Sequence, residues 1–269
     1  MNGDGEMNTS VTGKIWAIAR IALLEMLRRK DMYVVVLLAA VLTVLAASAN
    51  FFNDGQIVRY LRELSLALVW IGSLVLAVMS IARQLPGEHA NKTIQPLLAK
   101  PISRLQVLLG KFLGCWLANG AALLILYALF LAASSWKGGE TSALGCAQAL
   151  LLHWLLLAIV ISGALLGSLV FTAPSSNTVI ALIVTGGLLF VAQHLNKIAL
   201  RMEEPAQSVL YGIYYVIPHL EWYDTRLLII HNWPPIPPTA FLIAIAYSAF
   251  YTGLLILAAN LIYRRRVLN

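Results

Sequence analysis

The sequence predicts an all-α membrane protein. Six transmembrane helices follow an N-terminal amphipathic interfacial helix, and both termini lie in the cytoplasm. Three observations lead there. Of 269 residues, 60% are hydrophobic and only 12% charged, where a soluble domain carries about 25% charged residues. The mean hydropathy is +0.80. Apolar runs near the length of about 20 residues that crosses a bilayer recur along the chain, and the basic residues cluster between alternate runs.

Residues 1–12 read as a disordered tail, since Gly3, Asp4, Gly5, Asn8 and Thr9 offer nothing to bury. Residues 13–30 read as the amphipathic helix. Ile15, Trp16, Ala19, Leu23, Met26 and Leu27 fall toward one side, and Lys14, Arg20, Glu25, Arg28 and Arg29 toward the other. A basic face opposite a Trp/Leu face suits a helix lying in the headgroup plane. Residues 31–269 form a single six-span domain. Its spans are expected at Met32–Ala49, about Leu64–Ala82, about Phe112–Ala133, Ala143–Phe171, Asn177–His194 and Thr239–Tyr263. The first and fifth are the shortest. Residues 1–13 lack the apolar stretch of a cleavable signal peptide, so the first span is expected to stay as an anchor.

The net charge of +7 is not a nucleic-acid signature, because no Lys/Arg stretch is interleaved with aromatics. Its placement sets orientation instead. With both ends inside, the inner side holds the basic residues from Lys14 to Lys30, Arg83, Lys92, Lys100, Arg104, Lys111 and Arg264-Arg265-Arg266. Asp54, Glu63, Glu140, Glu203, Glu204, Glu221 and Asp224 fall outside. That asymmetry is the positive-inside pattern.

No catalytic constellation is visible. There is no H-E-x-x-H, no G-x-S-x-G and no acid pair within a span. Gly110-Lys111 is followed by Phe112, so it is not a phosphate-binding loop. The chain is therefore expected to be no enzyme, with no catalytic, cofactor-binding or metal site of its own. Cys115 and Cys146 are expected at opposite membrane faces, too far apart to pair. His153 lies ten residues after Ala143, about 15 Å along the helix and near mid-bilayer. Such a residue is a functional candidate; the alternative is a neutral imidazole bonded to a neighbouring helix. Gly163 and Gly167 form a G-x-x-x-G, which suits helix packing within one chain or across a dimer.

Two loops stand out. The outer loop, 195–238, holds an apolar and aromatic stretch, Val209 to Pro218, that is too short to span. It is expected to dip into the outer interface or cover the bundle. Trp233-Pro234-Pro235-Ile236-Pro237-Pro238 then gives a stiff lead into the last span. His194, His219 and His231 match no metal-ligand spacing. The inner loop, 83–111, breaks the second span at Pro86-Gly87 and has room for a short helix before Lys100-Pro101. It then presents a capping box, Ser103 with Gln106, that starts the next helix. A short polar helix held between two spans is a handle by which a partner can move both.

At this loop the sequence resembles the permease subunits of ABC-2 type transporters, of the type V exporter-like kind. The resemblance rests on Glu88, Asn91-Lys92-Thr93, Leu97-Leu98, Pro101-Ile102-Ser103-Arg104 and Gly110-Lys111. Lys92 stands where a Gly is usual. The stretch Tyr214-Tyr215-Val216-Ile217-Pro218-His219-Leu220-Glu221 is similar to a family outer segment that carries Asn at the place of His219.

The resemblance implies a multi-pass half-transporter of the bacterial cytoplasmic (inner) membrane. A second permease chain, identical or related, and two ATP-binding subunits would complete it. ATP and Mg would be held by those subunits, and this chain would bind no cofactor. The inner loop would be the coupling helix, with Glu88, His89, Asn91, Lys92, Thr93, Pro101, Ser103 and Arg104 docking the ATPase. A link to copper-enzyme maturation finds no Met/Cys/His cluster to support it. Two alternatives stay open: a scaffold that passes ATPase motion to an outer partner, and a membrane-embedded enzyme using His153 or the outer histidines.

Overall fold

The computed structural model describes residues 11–48, 54–84, 102–139, 141–171 and 173–265. Among them the regular structure is helical. An apolar chain in lipid must satisfy its backbone internally, and the helix does so within each segment. The helices are α1 Val11–Arg28, α2 Lys30–Ser48, α3 Asp54–Ala82, α4 Arg104–Trp136, α5 Ala143–Val170, α6 Pro174–Ala199, α7 Ala206–Val216, α8 Arg226–Ile230 and α9 Pro238–Arg265. A 3₁₀ turn, Leu220–Tyr223, lies between α7 and α8.

Among the described residues four helices are long and apolar enough to cross a membrane: Val58–Ala82 within α3, and α4, α5 and α9. Met32–Ala46 in α2 and Pro174–Phe190 in α6 are shorter apolar stretches, at the positions expected for the first and fifth spans. Several helices outrun their apolar cores. α3 begins before Leu64, and Arg59 and Glu63 on its first turns pair at 3.0 Å, which suits a helix continuing into water.

α4 begins at Arg104 rather than Phe112 because of its cap. Ser103 Oγ accepts from the Gln106 amide at 3.3 Å, and the Ser103 amide donates to Gln106 Oε1 at 2.8 Å. It ends in a Schellman motif. Gly138, at φ +74°, takes the left-handed turn that glycine allows. The Gly138 amide donates to Ser135 O and the Gly139 amide to Ser134 O.

The core is built on α5 and α4, with Leu108, Leu123, Leu156, Leu157, Ile161 and Leu165 fully buried. Two indoles clasp the pair. Trp116 and Trp154 stack at 4.3 Å, and each donates its N–H to the other's carbonyl, at 2.9 and 3.1 Å. Gly120 makes room, since a Cβ there would stand 2.6 Å from Trp154 Nε1. Gly120→Leu is therefore expected to destabilise the protein by about 1–3 kcal/mol through overpacking, read as a lower Tm of the purified protein in detergent.

α1 rests against the bundle on one apolar face. It packs along the first turns of α4 and buries Ile18, Ala19, Ala22 and Met26. Of the expected face, Ala19 and Met26 are buried, Ile15, Leu23 and Leu27 are half-buried with both leucines packed against the core, and Trp16 is 58% exposed. The reason lies in α4. A Cβ on Gly110 would stand 2.6 Å from Ile18 Cβ, and one on Gly114 would stand 2.5 Å from Ala19 O. Gly110 and Gly114 form a G-x-x-x-G on which two backbones nearly touch, so α1 turns its small residues inward. Arg104, Lys111, Arg264 and Arg265 gather at this end of the bundle, here called the basic end.

The outer loop enters the bundle. Leu220 and Tyr223 are buried, and Tyr223 O–H donates to Ala244 O of α9 at 2.8 Å. The proline-rich lead is held by a reciprocal amide pair: Gln148 Nε2 donates to Ile236 O at 2.9 Å, and the Ile236 amide donates to Gln148 Oε1 at 2.8 Å. Cys115 and Cys146 are both free and buried.

Candidate functional site

The two ends of the inner loop are described, while Glu88, His89, Asn91, Lys92, Thr93 and Pro101 lie outside the described residues. Ser103 spends its side chain on the α4 cap. Arg104 reaches across to α9, where its guanidinium donates to Tyr263 O and, at 3.1 Å, to Arg264 O. It also sits over the Tyr263 ring at 5.3 Å. The last carbonyls of a helix have no partner of their own, and a cation there also meets the negative end of the helix dipole. Arg104 thus ties the start of α4 to the end of α9.

A second clasp joins the loop's two ends to α1. Lys111, 2% exposed, donates to Gln84 Oε1 at 3.3 Å. Gln84 Nε2 donates to Glu25 Oε2 at 3.4 Å, and Glu25 also pairs with Arg29. Gln84 follows α3, Lys111 lies in α4, and Glu25 and Arg29 lie in α1. An isolated buried ammonium costs several kcal/mol, so the bonds of Lys111 are structural requirements. The half-exposed Arg29–Glu25 pair contributes little by itself. A force on the loop would reach α1, α3, α4 and α9 together. The sequence signals of this network are Lys111, in the Gly110-Lys111 pair, and Glu25, an acid set among the bases of α1.

His153 lies within the bundle. It is fully buried, with Nε2 2.8 Å from Ser73 Oγ of α3 and Nδ1 3.5 Å from Tyr127 O–H of α4. This is the arrangement of an imidazole bonded to neighbouring helices. Trp70 lies 5.8 Å away, and on that ring, at 4.5 Å, sits Arg226 of α8.

Arg226 forms a two-pronged pair with Asp224 at 2.8 and 2.6 Å, and this bonding raises the guanidinium pKa further above its ordinary value. Glu63, Glu221, Asp224, Arg226 and Trp70 line a cavity of about 450 Å³ at the end opposite the basic one. The three outer histidines are not brought together. His219 pairs with Glu221 at 3.2 Å, His231 stacks on Trp233, and His194 contacts Phe190 O. Among the described residues no group of three or more His, Cys, Asp or Glu is placed to hold a metal ion.

The family model described as ABC-2 family transporter protein matches residues 16–264. The chain belongs to this family. No curated protein matches it. The match opens inside α1 and closes on the last turn of α9, so the docked N-terminal helix and the Arg104 clasp both fall within the family unit. The chain is thus a membrane permease subunit of the ABC-2 type, and the family implies an ATP-binding partner.

Gly163 and Gly167 behave unlike Gly110 and Gly114. A Cβ on Gly163 would meet nothing within 4 Å, and the space beside Gly167 is taken by the Asn177 side chain. Within the chain, Gly163 does not draw two helices together.

Proposed function

We propose that this permease is driven by a separate ATPase chain that docks on the inner loop, 83–111, from the cytoplasm. The observation that carries the proposal is the double clasp. Lys111–Gln84–Glu25 joins both loop ends to α1, and Arg104 joins the second end to α9. A loop that only linked two spans would not need a buried ammonium at its base.

In this reading Glu88, His89, Asn91, Lys92 and Thr93 face the ATPase groove, with Pro101 and Ser103 setting the loop's exit and Arg104 passing the motion on to α9. ATP and Mg stay on the partner, of which two copies serve two permease chains, identical or related. All six apolar segments cross the bacterial inner membrane, both termini are cytoplasmic, and transport is outward. Arg264 and Arg265 in the last turn of α9 support that orientation.

A second reading is a scaffold that transmits ATPase motion to an outer partner. It is favoured by the hold of Tyr223 on α9 and of Arg226 on Trp70, which link the outer loop to two spanning helices. Accumulation of a labelled solute in inside-out vesicles on ATP addition supports the exporter, and ATP turnover without any solute movement supports the scaffold.

Docking is tested with Glu88→Cys. The native cysteines are buried, so a membrane-impermeant maleimide reports on position 88. Labelling is expected in inside-out vesicles and not in intact spheroplasts, and the bound ATPase is expected to protect the site. Labelling from outside, or no protection, would overturn the proposal.

A further inference from the structure

The outward side of α1 mixes the two faces that the sequence sets apart. Ile18, Ala19, Ala22 and Met26 are buried against the bundle. On the opposite side Trp16, Arg20, Leu24 and Arg28 follow one another at four-residue intervals, with Ile21 beside them, and all five are exposed. That spacing puts them on one strip of the helix. Trp16 and Ile21 are 58% and 63% exposed, a cost in water that contact with lipid removes. The neighbours of α1 fix the level of the strip. α1 is pinned at Gly110 and Gly114, on either side of Lys111, after which α4 carries no charge as far as Trp136. Just beyond Arg28 the chain enters α2, whose apolar stretch starts at Met32. The strip thus lies at the boundary where two apolar helices begin.

Arg20 and Arg28 decide which lipid the strip fits. Neither has an ion-pair or hydrogen-bond partner among the described residues. Glu25, the one acid in α1, is taken by Arg29 and Gln84, so both exposed guanidiniums keep their charge uncompensated. An open groove of about 510 Å³ runs beside Ile21, Leu24 and Arg28 and also touches the Glu25–Arg29 pair. Eight residues of helix set the two arginines about 12 Å apart, with Leu24 between them. That separation suits two headgroups of a leaflet better than one small anion. A guanidinium fork matches the oxygens of a phosphate.

We infer that the outward strip of α1 is a contact surface for acidic phospholipid, with Trp16, Ile21 and Leu24 among the upper acyl chains and Arg20 and Arg28 on the phosphates of neighbouring headgroups. A zwitterionic headgroup brings its own ammonium to its phosphate and answers the two guanidiniums less well. The contact needs neither the ATPase nor a given orientation of the chain in the membrane. It holds α1 from the side opposite Gly110 and Gly114, and so steadies Glu25 in its bond with Gln84.

The test uses the full permease in phosphatidylcholine nanodiscs doped with a diazirine-bearing phosphatidylglycerol or, in parallel, a phosphatidylcholine with the same diazirine chain. Label on α1 is read by mass spectrometry of chymotryptic peptides. A basic residue near an acidic leaflet is worth about a fivefold gain, so phosphatidylglycerol is expected to label α1 at least about fivefold more strongly than phosphatidylcholine. The double variant Arg20→Gln, Arg28→Gln is expected to equalise the two probes at an unchanged Tm, since both side chains are exposed. The double variant Arg20→Lys, Arg28→Lys keeps the charge and is expected to keep the preference. Equal labelling of wild-type α1 by the two lipids would overturn the inference, as would a preference that survives the Gln pair. Absence of label from α1 with both lipids would mean that water or protein covers the strip, and loss of label on adding glycerol 3-phosphate would assign the arginines to a soluble anion; either result would also overturn it.

Discussion

Gly114→Leu is expected to lift α1 off the bundle. A Cβ at this position already stands 2.5 Å from Ala19 O and 2.6 Å from Ala22 Cβ. Neither atom is the end of a flexible side chain, so relief requires the helices to separate. Separation exposes Ile18, Ala19, Ala22 and Met26 and pulls Glu25 away from Gln84. Overpacking alone costs about 1–3 kcal/mol, and the lost burial adds to it. Limited trypsin digestion measures the outcome: cleavage after Arg20, Arg28 or Arg29 should speed up at least several-fold over wild type, with a lower Tm. Gly114→Ala should shift both in the same direction by less. Gly163→Ala, with open space around the new methyl, should shift neither.

Lys111→Glu is expected to be the most damaging single charge change at the basic end. It removes a buried cation and puts a carboxylate against Gln84, whose other contact is the carboxylate of Glu25. Burying a carboxylate with no cation beside it costs several kcal/mol. Lys111→Met keeps the stem volume without the charge and should cost much less, since an apolar replacement leaves no ion to desolvate. Tm in detergent orders the variants: wild type and Lys111→Met close together, Lys111→Glu far below. Equal losses for Met and Glu would mean that Lys111 is held for its packing and not for its charge.

The sequence makes the helical class, the apolar segments and the α4 cap legible, because each has a local cause. Ser103 and Gln106 cap one another three residues apart, and hydrocarbon-length runs are visible residue by residue. The docking face of α1 is not legible in the same way. It is chosen by Gly110 and Gly114, far along the chain, and not by the size of Trp16, which stays exposed. The same four-residue glycine spacing occurs twice with opposite results. At Gly110 and Gly114 a helix of small residues comes in; at Gly163 no neighbour comes in and a cavity is left. Spacing states only that side-chain volume is missing, and the neighbour decides whether the gap closes. The clasp of Arg104 on α9 also joins residues far apart in sequence, which no local pattern carries. His153 was legible as a buried polar group, while Ser73 and Tyr127 as its partners required the fold.

The proposed entry point of ATP-driven motion into the permease is the inner loop. The most direct measurement is co-purification of the permease with an ATP-binding-cassette subunit encoded beside it, with ATP turnover of the complex in liposomes, for wild type and Glu88→Arg. The account predicts that the wild type retains the subunit and that Glu88→Arg, folded and inserted as judged by an unchanged Tm, loses it together with permease-dependent turnover. A Glu88→Arg permease that still holds the subunit and turns over ATP at the wild-type rate would contradict it.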